Sequence, residues 1–156
     1  MGGAFTIVLI ITSAYTAFLI FNSILPVWYR LGLSLSKRKI AILADNDNHN
    51  NLRNVLIDSK LFNPKNIEKI DENSIGKVET QSLLLMHWTS HQENLDSILI
   101  NKKDSAMLII YAPMEEGRIE SEELEKINKH RNVIIVNFRG RLINDVLVSM
   151  MTSFEK

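Results

Sequence analysis

Lys39-Ile40-Ala41-Ile42-Leu43-Ala44-Asp45 is the stretch that decides the fold. Its apolar run is bounded by charged residues and is too short for an ordinary helix, so it predicts a buried β-strand. A strand that is apolar at consecutive positions has to be covered on both faces, which is typical of a parallel sheet.

Four further short segments are predicted as strands; three are apolar, and the first, which contains Glu68 and Lys69, is a shorter candidate. They comprise residues 67–70, 82–86, 106–111 and 133–136. Helical patterns separate most of them, for example the stripe of Leu52, Val55 and Leu56. Between residues 71 and 81 there is room for only one or two helical turns, built on Ile75 and Val78.

Alternating strands and helices predict an α/β domain with a five-stranded parallel sheet. The pattern resembles a three-layer α/β/α sandwich of the flavodoxin-like or Rossmann-like kind, with strand order 2-1-3-4-5. Thr89 with Gln92, and Ser90 with Glu93, have the spacing of capping boxes and predict the start of the helix after strand three.

The amino-terminal segment has a different character. No charged residue precedes Arg30, and residues 5–28 are almost wholly apolar or weakly polar. A helix of about 20 such residues crosses the hydrocarbon core. Trp28 and Tyr29 follow at the expected interface, and the basic flank of Arg30 and residues 37–39 places the carboxyl side in the cytoplasm.

We therefore predict a single-pass transmembrane helix at residues 1–29, with the N-terminus outside the cell (inner) membrane. A basic juxtamembrane linker at residues 30–38 and a cytoplasmic α/β domain at residues 39–156 follow. The alternative is a cleaved secretory signal, which the long core and the absence of charge before it disfavour.

Small and polar residues in this helix indicate self-association. Ser13 and Ala17 are four residues apart, a spacing that lets two helices approach closely, and Asn22 is able to hydrogen-bond between helices. We predict a homo-oligomer or a larger membrane complex. The alternative is that the polar groups bond the backbone of their own helix.

Composition excludes several classes of function. The chain has no cysteine, which excludes disulfides and thiolate chemistry. Beyond the basic flank it carries 14 basic and 18 acidic residues, so it lacks the electrostatic footprint of a duplex nucleic-acid binder. No glycine-rich phosphate loop follows strand one, and we predict no cofactor.

Ligands of such folds bind beyond the carboxyl ends of the strands. The candidate ligand-binding residues at these ends are Asp45, Asp47, His87, Trp88, Glu115, Arg139 and Arg141. The two aspartates are able to hold a hard cation, but acidic residues after a strand more often cap helices. His87 and His91 lack a third ligand, so we predict no metal site.

Arg139-Gly140-Arg141 stands before the last helical pattern and is the strongest candidate at these strand ends. Two guanidinium groups at a helix start are suited to a phosphate or a carboxylate. The alternative is a salt bridge from one of the arginines to Glu115, Glu116 or Asp145.

The acidic pair Asp45 and Asp47 and the element order resemble those of bacterial receiver domains. His87 or Trp88 stands where a receiver has its phosphate-accepting aspartate, and Phe138 or Arg139 where it has its lysine. The resemblance therefore implies at most a degenerate receiver without phosphotransfer.

Trp88 and Glu93 also resemble a Trp–Glu pair of Toll/interleukin-receptor (TIR) domains that cleave NAD. That resemblance implies a nucleotide hydrolase in which Glu93 is catalytic and Trp88 stacks on the base. Small membrane-anchored α/β proteins of this shape are also similar to signalling components of bacterial antiphage defence.

The sequence contains no recognisable set of catalytic residues, so it favours a binding function over catalysis. We expect a membrane-anchored signalling or interaction module whose cytoplasmic domain binds a partner protein or a small, nucleotide-like anion. The alternatives are the TIR-like NAD hydrolase and an accessory subunit of a larger membrane complex.

Overall fold

The computed structural model describes the backbone of residues 2–152 and the side chains in that range except those at 4, 24, 27–36 and 152. Trp28, Tyr29 and Arg30, predicted to lie at the membrane interface, are outside the described side chains, and residues 153–156 of the predicted cytoplasmic domain are outside the described chain. The chain divides into two compact units, residues 1–34 and 35–156.

The first unit belongs to one helix, α1 (Gly2–Lys37), which contains Pro26. Its segment Phe5–Ser23 has a mean hydropathy of 1.9 and no buried residue. This segment is long and apolar enough to cross a membrane, a test that an N-terminal signal sequence also passes. Helix α1 continues through Lys37, so most of the residues predicted as a linker are helical.

Polar side chains of α1 bond their own helix. The hydroxyls of Thr12 and Thr16 donate to the carbonyls of Val8 and Thr12, at 2.7 and 2.8 Å. The Asn22 amide donates to the carbonyl of Phe18 at 3.1 Å. These three side chains therefore follow the alternative prediction, in which a polar group hydrogen-bonds the backbone of its own helix.

The second unit contains a five-stranded, wholly parallel sheet in the order β2-β1-β3-β4-β5. The strands are β1 (Ile40–Leu43), β2 (Ile67–Lys69), β3 (Leu83–His87), β4 (Met107–Tyr111) and β5 (Val133–Val136). The prediction of five parallel strands in this order is confirmed.

Helices connect the strands. The α-helices are α2 (Asn46–Asp58), α3 (Trp88–His91), α4 (Leu95–Asn101), α5 (Ser121–Asn128) and α6 (Arg139–Thr152). Short 3₁₀ helices lie at Pro64–Asn66, Glu72–Thr80, Gln92–Asn94 and Met114–Glu116. The segment predicted to hold one or two turns is the second of these; it extends over nine residues with a kink at Ser74, and its Val78 is buried.

Two buried clusters form because alternate strand residues point to opposite faces of the sheet. On one face, Ile42 and Leu85 lie in a cluster with Leu56 of α2 and Val146 of α6. On the other face, Leu84 belongs to a cluster that includes Ile98 of α4 and Ile127 of α5. The central strands β1, β3 and β4 are therefore buried on both faces, whereas the edge strands β2 and β5 are only partly buried.

The candidate site lies where two neighbouring connections between strands and helices leave the sheet toward opposite faces. Strands β1 and β3 are adjacent, yet the residues of α2 contribute to one cluster and those of α4 to the other. The chain therefore leaves the two strands toward opposite faces, which opens a crevice at their carboxyl ends.

Candidate functional site

Asp45, two residues beyond the end of β1, caps helix α2. Its Oδ1 accepts the backbone N–H of Asn48 at 2.9 Å, and its Oδ2 accepts the Asn48 amide at 3.3 Å and the Ser90 hydroxyl at 3.1 Å. The Asn48 backbone N–H is the main cause that holds the pKa of Asp45 below its ordinary value. Asp45 is thus a helix cap, the role that acidic residues after a strand most often have.

His87, the last residue of β3, lies at the centre of a polar network and is only 1% exposed. Its Nδ1 lies 2.9 Å from the Ser90 hydroxyl oxygen, 3.3 Å from that of Thr89 and 3.5 Å from the Asn48 amide nitrogen. Its Nε2 lies 3.2 Å from Oε2 of Glu116. Within residues 2–152, Nε2 makes no well-directed hydrogen bond, so its contact with Glu116 is mainly electrostatic.

The predicted capping boxes are wrong. The residue that precedes helix α3 is His87, and its side chain makes no capping bond. The Thr89 hydroxyl donates to Glu116, and the Ser90 hydroxyl contacts Asp45 and His87. Both hydroxyls are therefore engaged with other strand ends, which local spacing does not reveal.

A cavity of about 430 Å³ lies beside this network, between α2, the end of β4 and the start of α6. Its wall combines amide, aromatic, carboxylate and guanidinium groups. The lining residues are Asn48, Asn51, Leu52, Tyr111, Pro113, Met114, Glu115, Glu116, Asn137, Phe138 and Arg139. Asn48 and Glu116 also contact His87, so the cavity and the network share two side chains.

The aromatic residues of the cavity differ in environment. The Phe138 side chain is 55% exposed, which leaves its ring open to a ligand. Tyr111 is partly buried, and burial is the main cause that raises the pKa of its phenol. Tyr111 is therefore a neutral hydroxyl at physiological pH, and its ring lies 5.9 Å from that of His87.

The two predicted arginines do not line the same cavity. Arg139 lines the large cavity, whereas Arg141 lines a neighbouring one of about 130 Å³. Arg141 also lies 3.9 Å from Asp145 within α6, one of the salt-bridge partners considered from the sequence. In this arrangement the two guanidinium groups do not bind one anion together.

Three other candidates lie away from the cavity. Asp47 is exposed in the first turn of α2. Trp88 is 4% exposed and packs in the cluster with Leu95, so its ring is closed to a stacking base. Glu93, proposed as catalytic in the TIR-like interpretation, is exposed in the 3₁₀ turn after α3.

His91 is buried, at 6% exposure, and burial is the main cause that lowers its pKa. Its Nδ1 has no hydrogen-bond partner in the described part of the chain. Among the described residues, no group of three or more histidines and carboxylates is placed to hold a metal ion.

His87 and Asp45 are predicted as ligand-binding residues, whereas Ser90 is predicted only as a helix cap and Glu116 only as a salt-bridge partner of an arginine. Ser90, Asn48 and Glu116 also follow strand ends, so the rule that selected their neighbours contained the signal. Their hydrogen-bonding partners lie up to 45 residues away in sequence, and only the folded sheet shows these contacts.

No protein-family model, curated protein or solved structure matches this chain.

Proposed function

We propose that this chain is a membrane-anchored signalling or interaction module whose cytoplasmic domain, a three-layer flavodoxin-like sandwich, binds a small anionic ligand. The observation that carries the proposal is the cavity of about 430 Å³ at the carboxyl ends of the parallel strands. Its volume is in the range of small-molecule sites, roughly 300–1,000 Å³, and this edge is where α/β sheets bind ligands.

The cavity lining defines the chemistry of the ligand. Arg139 is the cationic group of the lining and is suited to a phosphate or a carboxylate. The open ring of Phe138 offers a stacking surface for a planar group. Glu115 and Glu116 accept hydrogen bonds but repel additional negative charge. A nucleotide-like molecule with one anionic group fits this combination better than a polyanion.

The anchor proposal is supported by the fully exposed apolar segment Phe5–Ser23 and by the basic residues that follow it. Lipid would bury this segment, and the basic flank would hold the α/β domain on the cytoplasmic side. We propose that Ser13 and Ala17 then bring copies together, so that ligand binding acts on clustered domains.

The alternative functions have less support from the geometry. A TIR-like hydrolase needs Glu93 beside the bound nucleotide, but Glu93 and Trp88 do not line the cavity. No contact in the described chain favours an accessory subunit over an independent module. A protein partner that docks at the same edge is an outcome that the following test separates from a small ligand.

The test is calorimetric titration of the full-length, detergent-solubilised protein with adenosine monophosphate. We expect binding that Arg139→Gln weakens at least about tenfold, because a charge-assisted hydrogen bond contributes about 1.5–3 kcal/mol. The matched control is Arg141→Gln, which removes a charge outside the cavity and leaves the affinity within about twofold.

Two results would overturn the small-ligand proposal. One is a wild-type protein that is folded but releases no heat with adenosine monophosphate. The other is an equal loss of affinity in both arginine variants, which would indicate nonspecific attraction. Absence of binding would leave a protein partner as the better explanation of the cavity.

A further inference from the structure

A serine, a histidine and a glutamate are in sequential contact at the carboxyl edge of the sheet. The Ser90 hydroxyl oxygen lies 2.9 Å from Nδ1 of His87, and Nε2 of the same ring lies 3.2 Å from Glu116. We propose that Ser90 is a nucleophile activated by His87, and that it reacts with carboxylic esters. This inference goes beyond ligand binding and does not depend on adenosine monophosphate.

Glu116 determines which ring nitrogen carries the proton. A carboxylate beside Nε2 favours the tautomer with the proton on Nε2, because a lone pair there would face negative charge. Nδ1 is then left as an acceptor 2.9 Å from the Ser90 oxygen, and the Ser90 proton, which is donated to Asp45 in the structure, has to turn toward it before attack. This is the arrangement in which a histidine acts as general base toward a serine.

Asp45 competes for the same hydroxyl proton, since its Oδ2 lies 3.1 Å from the Ser90 oxygen. Its carboxylate is the weaker base, because the Asn48 backbone N–H holds its pKa below the ordinary value. A hydrogen bond to Asp45 orients the hydroxyl in the resting protein, and His87 accepts the proton during attack.

Asn48 provides a donor next to the nucleophile. Its amide nitrogen lies 3.3 Å from Oδ2 of Asp45 and 3.5 Å from Nδ1 of His87. These are the two atoms that the Ser90 hydroxyl also contacts, so the amide and the hydroxyl share both neighbours. An amide donor in that place is able to stabilise the negative charge that develops on an attacked carbonyl.

Ser90 is partly exposed, whereas His87 is buried. Ser90 is not among the lining residues of the large cavity, but Asn48 and Glu116, which both contact His87, do line it. An ester whose acyl or alcohol part occupies the cavity would therefore lie next to the network that contains Ser90.

The reaction is balanced without a further reagent. The Ser90 oxygen forms a bond to the ester carbonyl carbon, and its proton passes to Nδ1 of His87. The bond from that carbon to the alcohol oxygen breaks, and the proton leaves with the alcohol. Water then attacks the acyl-serine with His87 again as base, which releases the carboxylic acid and restores Ser90.

The experiment is labelling of the full-length, detergent-solubilised protein with a fluorophosphonate, followed by mass spectrometry of the digested protein. The serine oxygen bonds to phosphorus as fluoride leaves, so the adduct marks the reactive residue. We expect time-dependent labelling at Ser90, none there in Ser90→Ala, and no change in Ser97→Ala. Ser97 is also partly exposed but lies in α4, away from His87.

Glu116 is a positioning residue, and its test compares the rate of labelling in Glu116→Gln with that in Glu116→Asp, which keeps a carboxylate beside Nε2. In Glu116→Gln we expect a rate about tenfold lower, the factor that corresponds to 1.4 kcal/mol. Glu116→Asp should recover most of the lost rate, because the charge that favours a proton on Nε2 is retained.

His87→Gln should lower the labelling rate about a hundredfold or more. Because His87 is buried, its variant is scored only if the Trp88 fluorescence of the folded domain is retained. Glu116→Gln changes a side chain that is 40% exposed and supplies the same test in a domain expected to fold. Labelling that is absent from the folded wild type, or equal in Ser90→Ala, or as fast in Glu116→Gln as in Glu116→Asp, would overturn the proposal.

Discussion

Two apolar stretches of this chain have opposite environments. Every residue of β3 is buried, and none of Phe5–Ser23 is. Strand β3 lies between two strands and has helices on both faces, whereas α1 presents its apolar side chains to the surroundings. Apolar composition alone therefore does not stabilise a segment. An apolar segment is stabilised when a partner removes it from water. Other parts of the chain do this for β3, and we propose that lipid does it for α1.

The largest effect is expected from truncating the centre of the sheet. Leu85 is fully buried, between Ile42 of β1 and Ile109 of β4. Leu85→Ala should lower the free energy of unfolding by about 2–5 kcal/mol, since it removes buried methyl groups and leaves a cavity. The measurement is urea unfolding of the detergent-solubilised protein, followed by the fluorescence of Trp88 in a Trp28→Phe background.

The matched control for this truncation is Leu9→Ala in α1, where the side chain is 52% exposed. It should change the free energy of unfolding by no more than about 0.5 kcal/mol. Equal losses from both truncations would mean that α1 has an apolar partner within the protein and would erase the contrast between the two stretches.

The next effect concerns the environment of α1. Ile11 lies near the middle of Phe5–Ser23, and an arginine at the centre of a membrane helix costs about 2.5–3.5 kcal/mol. Ile11→Arg should therefore lower the fraction of protein that stays in carbonate-washed membranes. Ile100→Arg is the control, because Ile100 is 78% exposed but lies in α4 of the α/β unit. If both variants partition like the wild type, α1 is not a membrane anchor.

Most of the fold was predictable from sequence because its three central strands are apolar and buried on both faces. Residues 133–136 match β5 without error, and the other four strands differ from their predictions by one or two residues at their ends. In a small α/β domain a wholly apolar run predicts a strand that is buried on both faces. Helical stripes such as that of Leu52 and Leu56 predict the helices that connect the strands.

The candidate site was only half predictable. The strand-end rule selects Asp45, His87 and Arg139, because their positions follow from the sheet. Whether a side chain then points to the cavity or to the core depends on the first turn of the next helix. Trp88 turns into the core, whereas Ser90 two residues later contacts Asp45 across the crevice. No local pattern separates these outcomes, since both residues lie in one helical turn.

The smallest effect is expected from the proposed contact between copies of α1. The helical repeat of about 100° per residue places Ser13 and Ala17 on one face and Tyr15 on the other. Replacing Ser13 and Ala17 together by Leu should weaken dimerisation in detergent by about 1 kcal/mol, or roughly fivefold, because bulkier side chains hold the backbones apart. Sedimentation equilibrium measures this change, and Tyr15→Leu, on the opposite face, should leave the dimer unaffected.

Thr12, Thr16 and Asn22 bond their own helix, so close packing of small residues would have to carry the association. A strictly monomeric wild type, or an equal loss in Tyr15→Leu, would contradict that contact and leave α1 as a partner for lipid alone.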